Sequence, residues 1–325
     1  MPDFQPPIDL ARQRRRRRRN AWQTALLLGG MGVLMAACGW IVAGPQGLLW
    51  VGMLGGFLLI AGYRASPRMV LRLFGAVPLS QQDLPDVHRI VEVLSARAGL
   101  PRPPRLYFIS SRLTNAFTVG SRDDAALAIT GGTLRLLNLR ELAGVLAHEL
   151  SHLANNDTRV MALADVISRL TRAMAFAGVL LLLMNLPLMA VGGTTLSWVL
   201  ILLLVFAPTI GTLLQLALSR TREFDADMEA VRLTGDPAAL ASALRKLERH
   251  QGAFWEDILI GGRRIPEPSV LRTHPDTEER VRRLLELRLP AASPLMLPED
   301  LHAHHGAVPE VPRAPRWRRR SGLWY

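Results

Sequence analysis

The residues of this sequence best able to do chemistry are His148-Glu149-Leu150-Ser151-His152. Side chains four apart leave a helix on one face. Both imidazoles can therefore bind one Zn²⁺, with the glutamate between them angled towards the water that such a metal activates. In a chain with only 8 histidines the pattern rarely arises by coincidence. A catalytic zinc takes three protein ligands and leaves one position open, so a further His or carboxylate must come from elsewhere. Glu223 is the best candidate, in the run Arg220-Thr221-Arg222-Glu223-Phe224-Asp225-Ala226-Asp227. Asp227 lies one helical turn further along, where a carboxylate can accept the second N–H of a ligating imidazole. Taken alone, such a Glu/Asp pair reads as a solvated acidic helix; beside the histidine pair it reads as a ligand and its support. The single cysteine, Cys38, lies in an apolar run, which leaves neither a disulfide nor a cysteine-ligated zinc.

Several elements must hold these groups. Asn138 with Glu141 three residues on has the form of a reciprocal helix cap, and the helix it opens runs through Leu142, Val145 and Leu146 into His148. Upstream, residues 87–98 carry apolar side chains at helical spacing, and 106–109 and 126–129 read as buried strands, the second reached through a polar turn at 120–124. Downstream, 220–233 and 237–250 read as helices separated by Gly235, and 277–287 as a last one.

The remaining sequence is membrane-like. Of 325 residues 49% are hydrophobic, and no charged residue occurs between Arg19 and Arg64 or from Ala173 to Ser219. Each run suffices for two helices of roughly 20 residues, the first turning at Gly44-Pro45-Gln46-Gly47 and the second at Gly192-Gly193-Thr194-Thr195. The net charge of +12 is arginine-borne, Lys246 being the one lysine. Arg12 and Arg14 to Arg19 precede the first span, Arg64, Arg68 and Arg72 follow the second, Arg169 and Arg172 precede the third, and Arg220 and Arg222 follow the fourth. Under the positive-inside rule the N-terminus, residues 64–172 and the C-terminal part are cytosolic. Anionic lipid is the partner these arginines suggest; nucleic acid is not expected, because no aromatic-interleaved binding fold accompanies them.

Beyond the zinc motif, the sequence resembles the HtpX-type bacterial membrane metalloproteases, relatives of the CAAX prenyl endopeptidases. The resemblance lies in Asn115-Ala116-Phe117 with Gly120, in 128–132, in His148 through His152 continuing to Asn155 and Asp157, in Arg222-Glu223-Phe224 with Ala226-Asp227, and in Thr273-His274-Pro275. It covers roughly residues 20–290, and the order of the blocks is more specific than any one of them. The resemblance implies one Zn²⁺ per chain bound by His148, His152 and Glu223, with Glu149 as base. It further implies a substrate-binding edge strand near Asn115, Ala116 and Phe117 and a role near the site for His274. Read alone, Asn115 is equally a turn residue and His274 equally a helix cap. The arginine-rich start and the tail with His302, His304 and His305 lie outside the pattern.

The expected fold is a predominantly α membrane protein: four transmembrane helices plus a cytosolic zincin-like α+β catalytic domain with a small sheet. The expected division is a basic segment at 1–20, a first hairpin at 21–63, a catalytic part at 64–172, a second hairpin at 173–219, a helical part with the third ligand at 220–288, and a disordered tail at 289–325. The activity expected is hydrolysis of peptide bonds in protein substrates by an endopeptidase of the cytoplasmic membrane, in quality control of membrane or misfolded proteins. The competing readings are an inactive membrane scaffold with a structural metal and a prenyl-protein processing peptidase.

Overall fold

A computed structural model describes residues 10–64, 67–190, 198–261 and 277–287. The first helix, α1 (Leu10–Arg64), is broken by non-helical backbone at Ala43 and Gly44, with Pro45 opening its second limb. The limbs fold back on each other so closely that a Cβ on Gly47 would stand 1.8 Å from the carbonyl oxygen of Gly39. Only a glycine pair permits that backbone approach. The reversal falls where the Gly-Pro-Gln-Gly signal put it. The second expected turn, at 192–195, lies outside the described residues.

Two long helices follow the soluble elements: α6 (Asp157–Ala190) and α7 (Trp198–Thr234). They pack on each other and on the first limb of α1, through Leu34, Cys38, Leu204 and Ala207 and, nearer the site, through Met31, Ala164 and Leu218. Among the described residues three stretches are long and apolar enough to cross a membrane: Trp22–Ile41, Val166–Pro187 and Ile201–Thr234. Residues 220–233, read as a separate helix, continue α7 without a break. No Gly or Pro stands between Leu214 and Thr234 to interrupt it. One continuous helix thus carries membrane packing at one end and Glu223 and Asp227 at the other.

Between the hairpin and α6 lies a four-stranded sheet of order β1-β2-β4-β3, from β1 (Val77–Pro78), β2 (Arg105–Ile109), β3 (Ala116–Gly120) and β4 (Ala125–Thr130). β2 and β4 run parallel, while β1 and β3 are antiparallel additions at the edges. Alternation divides the side chains between two faces. Leu106, Phe108, Leu127 and Ile129 join the main core with α3 (Pro85–Arg97), α5 (Leu139–Ala154), the end of α7, α8 (Pro237–Gly261) and α9 (Thr277–Leu285). Tyr107, Ile109, Ala126 and Ala128 face the other way, under Leu71 of the short helix α2 (Pro67–Leu73). The expected strands are β2 and β4. β1 escaped the sequence reading because two residues are too few to show alternation.

Candidate metal centre

α5 carries the motif, and its position is fixed from both ends. At its start the Asn138 side chain accepts the Glu141 amide at 2.9 Å and Glu141 accepts the Asn138 amide at 3.0 Å. This is the reciprocal cap read from the sequence. Just upstream, α4 (Gly131–Leu136) must pass so close to Arg112 and Leu113 that a Cβ on Gly132 would meet their carbonyl oxygens at 2.3 and 2.4 Å. Leu142, Leu146, Leu150 and Leu153 bury one side of α5, which turns His148 and His152 towards α7.

There the His148 and His152 Nε2 atoms lie 3.2 Å apart. They stand 3.3 and 3.5 Å from Glu223 Oε2 and Oε1 respectively. Ligand atoms about 2.0–2.1 Å from a tetrahedral ion lie roughly 3.3 Å from one another, so each of the three separations is close to an edge of a zinc tetrahedron, the two from Glu223 being to different oxygens of its carboxylate. Donor chemistry agrees. His152 Nδ1 is 3.1 Å from Asp157 Oδ2, which keeps the ring proton on Nδ1 and leaves Nε2 as a lone pair. His148 Nδ1 is 2.9 Å from Asp227 Oδ1, although its N–H is not aimed along that line. Two imidazole nitrogens and a carboxylate converging on one point call for positive charge between them, which protons or a metal cation can supply. The carboxylates of Glu149, Asp157, Glu223 and Asp227 outnumber the guanidiniums of Arg222 and Arg280 by two, the charge of a divalent ion.

The same field acts on protons. Burial opposes a charge on His148, but the Asp227 and Glu223 carboxylates outweigh it and raise the pKa above that of ordinary imidazole. For His152 burial again opposes, and Asp157 with Glu223 raise the pKa well above that value. Arg280, on α9, closes the site. Its Nε and Nη2 donate to Asp227 at 2.7 and 2.6 Å, and its Nη1 is 3.1 Å from Glu223 Oε2. Burial opposes its charge too, and Asp227, Glu223 and Glu149 reverse the effect, so the guanidinium stays charged. Glu149 sits beside the sheet, where its carboxylate accepts the Thr118 amide of β3 at 3.2 Å.

Residues 81–288 match the description of Peptidase family M48. A "Protease HtpX homolog" of Pyrococcus furiosus is 33% identical over 290 residues, covering 82% of this chain and 96% of the relative. Relatives of the same description from Sulfurihydrogenibium sp. and Acaryochloris marina are 35% identical over 291 residues and 37% over 281. They cover 82% of this chain each, and 96% and 94% of the relatives. The chain belongs to peptidase family M48. It is a membrane metalloprotease of that family, as its HtpX-type resemblance led one to expect. The crystal structure of S. mikatae Ste24p is a more distant likeness, at 19% identity and a TM-score of 0.44, covering 82% of this chain and 64% of that one.

Of the residues singled out in this M48 sequence, the fold brings His148, His152, Glu223, Asp227 and Glu149 together. Ala116 and Phe117 belong to β3, at the outer edge of the sheet, and Asn115 directly precedes it. Asn115 is turned inward, its N–H donating to Thr130 Oγ1 and its carbonyl accepting from Thr130 and Thr133. His274 lies outside the described residues. The sequence reading missed Arg280 and the bonding of Arg222. A signal for Arg280 existed: it precedes Leu284 by one helical turn, and so is a charged residue on the apolar face of the predicted helix.

Proposed function

We propose that this M48 member is a zinc endopeptidase of the cytoplasmic membrane, crossing it four times with the site on the cytosolic side, and that it hydrolyses peptide bonds in membrane or misfolded proteins. The observation that carries the proposal is the triangle of His148 Nε2, His152 Nε2 and Glu223 at zinc-ligand spacing. The second limb of α1, folded back at Ala43–Gly44, supplies the fourth crossing beside the three candidate spans. The arginines flanking the spans favour a cytosolic site. On α2, Arg68 and Arg72 form an exposed stripe beside exposed Met69 and Leu73. That pattern suits a helix lying in anionic headgroups directly after the hairpin.

His148, His152 and Glu223 would hold one Zn²⁺ per chain, which when bound polarises the scissile carbonyl and lowers the pKa of water to about 7. Asp157 fixes the His152 imidazole, and Asp227 lies beside that of His148. Glu149 accepts a proton from the attacking water as it adds to the carbonyl carbon, and delivers that proton to the amine as the C–N bond breaks. An extended substrate pairs with the free edge of β3. Because Asn115 bonds inward to Thr130, alternation turns the N–H and C=O of Ala116 and Thr118 outward. Thr118 spends its N–H on Glu149, so Ala116 offers the amide, and the base stands in register with the substrate. Backbone pairing of this kind tolerates many sequences.

The test compares purified wild type with Glu149→Gln, stripped by chelator, given Zn²⁺ and assayed for bound metal and casein cleavage. Both bind about one zinc, and cleavage falls by roughly 10²-fold or more in the variant. Equal cleavage by the two removes Glu149 from its role, and wild type that takes up no zinc leaves the scaffold reading in place.

A further inference from the structure

The proposed ligand His152 is held by more than its own helix. Asp157, which faces its Nδ1, is only 1% exposed. The other oxygen of Asp157 accepts from Nη1 of Arg222, and Nη2 of the same guanidinium donates to the hydroxyl of Thr24. Thr24 is buried on the first limb of α1, 198 residues away in sequence. Four helices, α1, α7, α6 and α5, meet in this single run of polar atoms. We propose that Arg222 is a positioning residue through which the seating of the first membrane helix sets the orientation of His152. The proposal rests on the ligand set given above.

Three features support it. First, a guanidinium is a rigid planar fork whose donors can address two acceptors at once, whereas an ammonium is a point charge that cannot span them in fixed geometry. Second, the Arg222 side chain is 12% exposed, in surroundings where a polar chain is either satisfied throughout or costly. Its neighbour Arg220, of the same charge and the same apparent topological purpose, is exposed. Third, Arg222 immediately precedes Glu223 on α7, so a shift of α7 against α1 moves one ligand directly and the other through Asp157. A metal-ligating imidazole depends on the acceptor at its second nitrogen, and disturbing such an acceptor costs roughly 10–100-fold in metal affinity.

The experiment uses the full chain in detergent or nanodiscs, loaded with Co²⁺, whose visible bands report ligand geometry. Arg222→Lys keeps the charge at the membrane and breaks the fork. It is expected to weaken Co²⁺ binding about tenfold and to shift the bands. Thr24→Val shifts them in the same direction by less, Thr24→Ser restores the wild-type spectrum, and Arg220→Lys leaves affinity and spectrum unchanged. Wild-type affinity and spectrum in both Arg222→Lys and Thr24→Val, even with lowered thermal stability, would overturn the proposal and leave a purely structural ion pair. Should wild type itself bind no Co²⁺, the ligand set fails first.

Discussion

At the scale of single residues, the site is a balance of buried charges in which Arg280 has the largest stake. It is 4% exposed and bridges Asp227 and Glu223. Removing one member of a buried ion pair leaves its partner charged and undersolvated, at a cost of about 3–5 kcal/mol. Arg280→Met is therefore expected to lower stability by that order, read as the thermal unfolding of the metal-free protein. Adding Asp227→Leu removes one of the stranded carboxylates and should recover part of the loss. A double variant less stable than the single one would contradict the account. The residue types and spacing of His148 and His152 made these two proposed ligands visible in the sequence, because the geometry of one helix places them. Arg280 was not visible in that way, since its partner Asp227 is 53 residues distant and only the folding of α9 onto α7 brings them into contact.

At the scale of elements, α5 must be placed accurately, and Glu141 does most to place it. Its carboxylate caps the helix through the Asn138 amide and also accepts from Ser242 Oγ at 2.7 Å and from the ammonium of Lys246 at 2.7 Å, both on α8. Burial raises the pKa of this carboxyl, and Lys246, Ser242 and the Asn138 amide together pull it below the ordinary value. A folded-state pKa below the unfolded one means that the contribution is complete above the unfolded value of about 4.3 and disappears as pH falls through the folded value. Glu141→Ala should cost about 2 kcal/mol at neutral pH, from the lost cap and the buried hydrogen bonds. The gap between variant and wild type should narrow in denaturant titrations as pH falls below the ordinary carboxylate range. A gap that persisted in acid would show that the ionised carboxylate is not what stabilises the helix. The cap itself was legible because it is local, an Asn and a Glu three apart. The attachment to α8 was not: Lys246 gives no sign in sequence of which carboxylate it will meet. β3 was expected only from resemblance, because Ala-Phe-Thr-Val-Gly is short and its significance lies in standing at the edge.

At the scale of the whole molecule, the placement of the metal triangle has a mechanical consequence. His148 and His152 belong to α5, which is rooted in the sheet and its helical cover, while Glu223 belongs to α7, which continues from the membrane bundle. A bound metal would join these two bodies at one point. The sequence showed the apolar runs and the motif but divided α7 at residue 220, since charge begins there; hydropathy reports the medium around a helix and is blind to its continuity. That continuity makes the next expectation specific. Ligand binding to the native state stabilises by RT ln(1 + [L]/Kd), about 2.7 kcal/mol at a hundredfold excess over Kd. The gain should be absent in Glu223→Ala. Because the added bond ties α5 to α7, it should also be unevenly distributed. Removing the metal with a chelator should speed hydrogen exchange in residues 145–154 and 219–234, on either side of the triangle, and leave α3, which supplies no residue to it, unchanged. An equal change in all three segments would mean that the metal stabilises only globally; no change in any of them would mean that α5 and α7 are held together by the His148–Asp227 contact, the run from Arg222 through Asp157 to His152, and apolar packing alone.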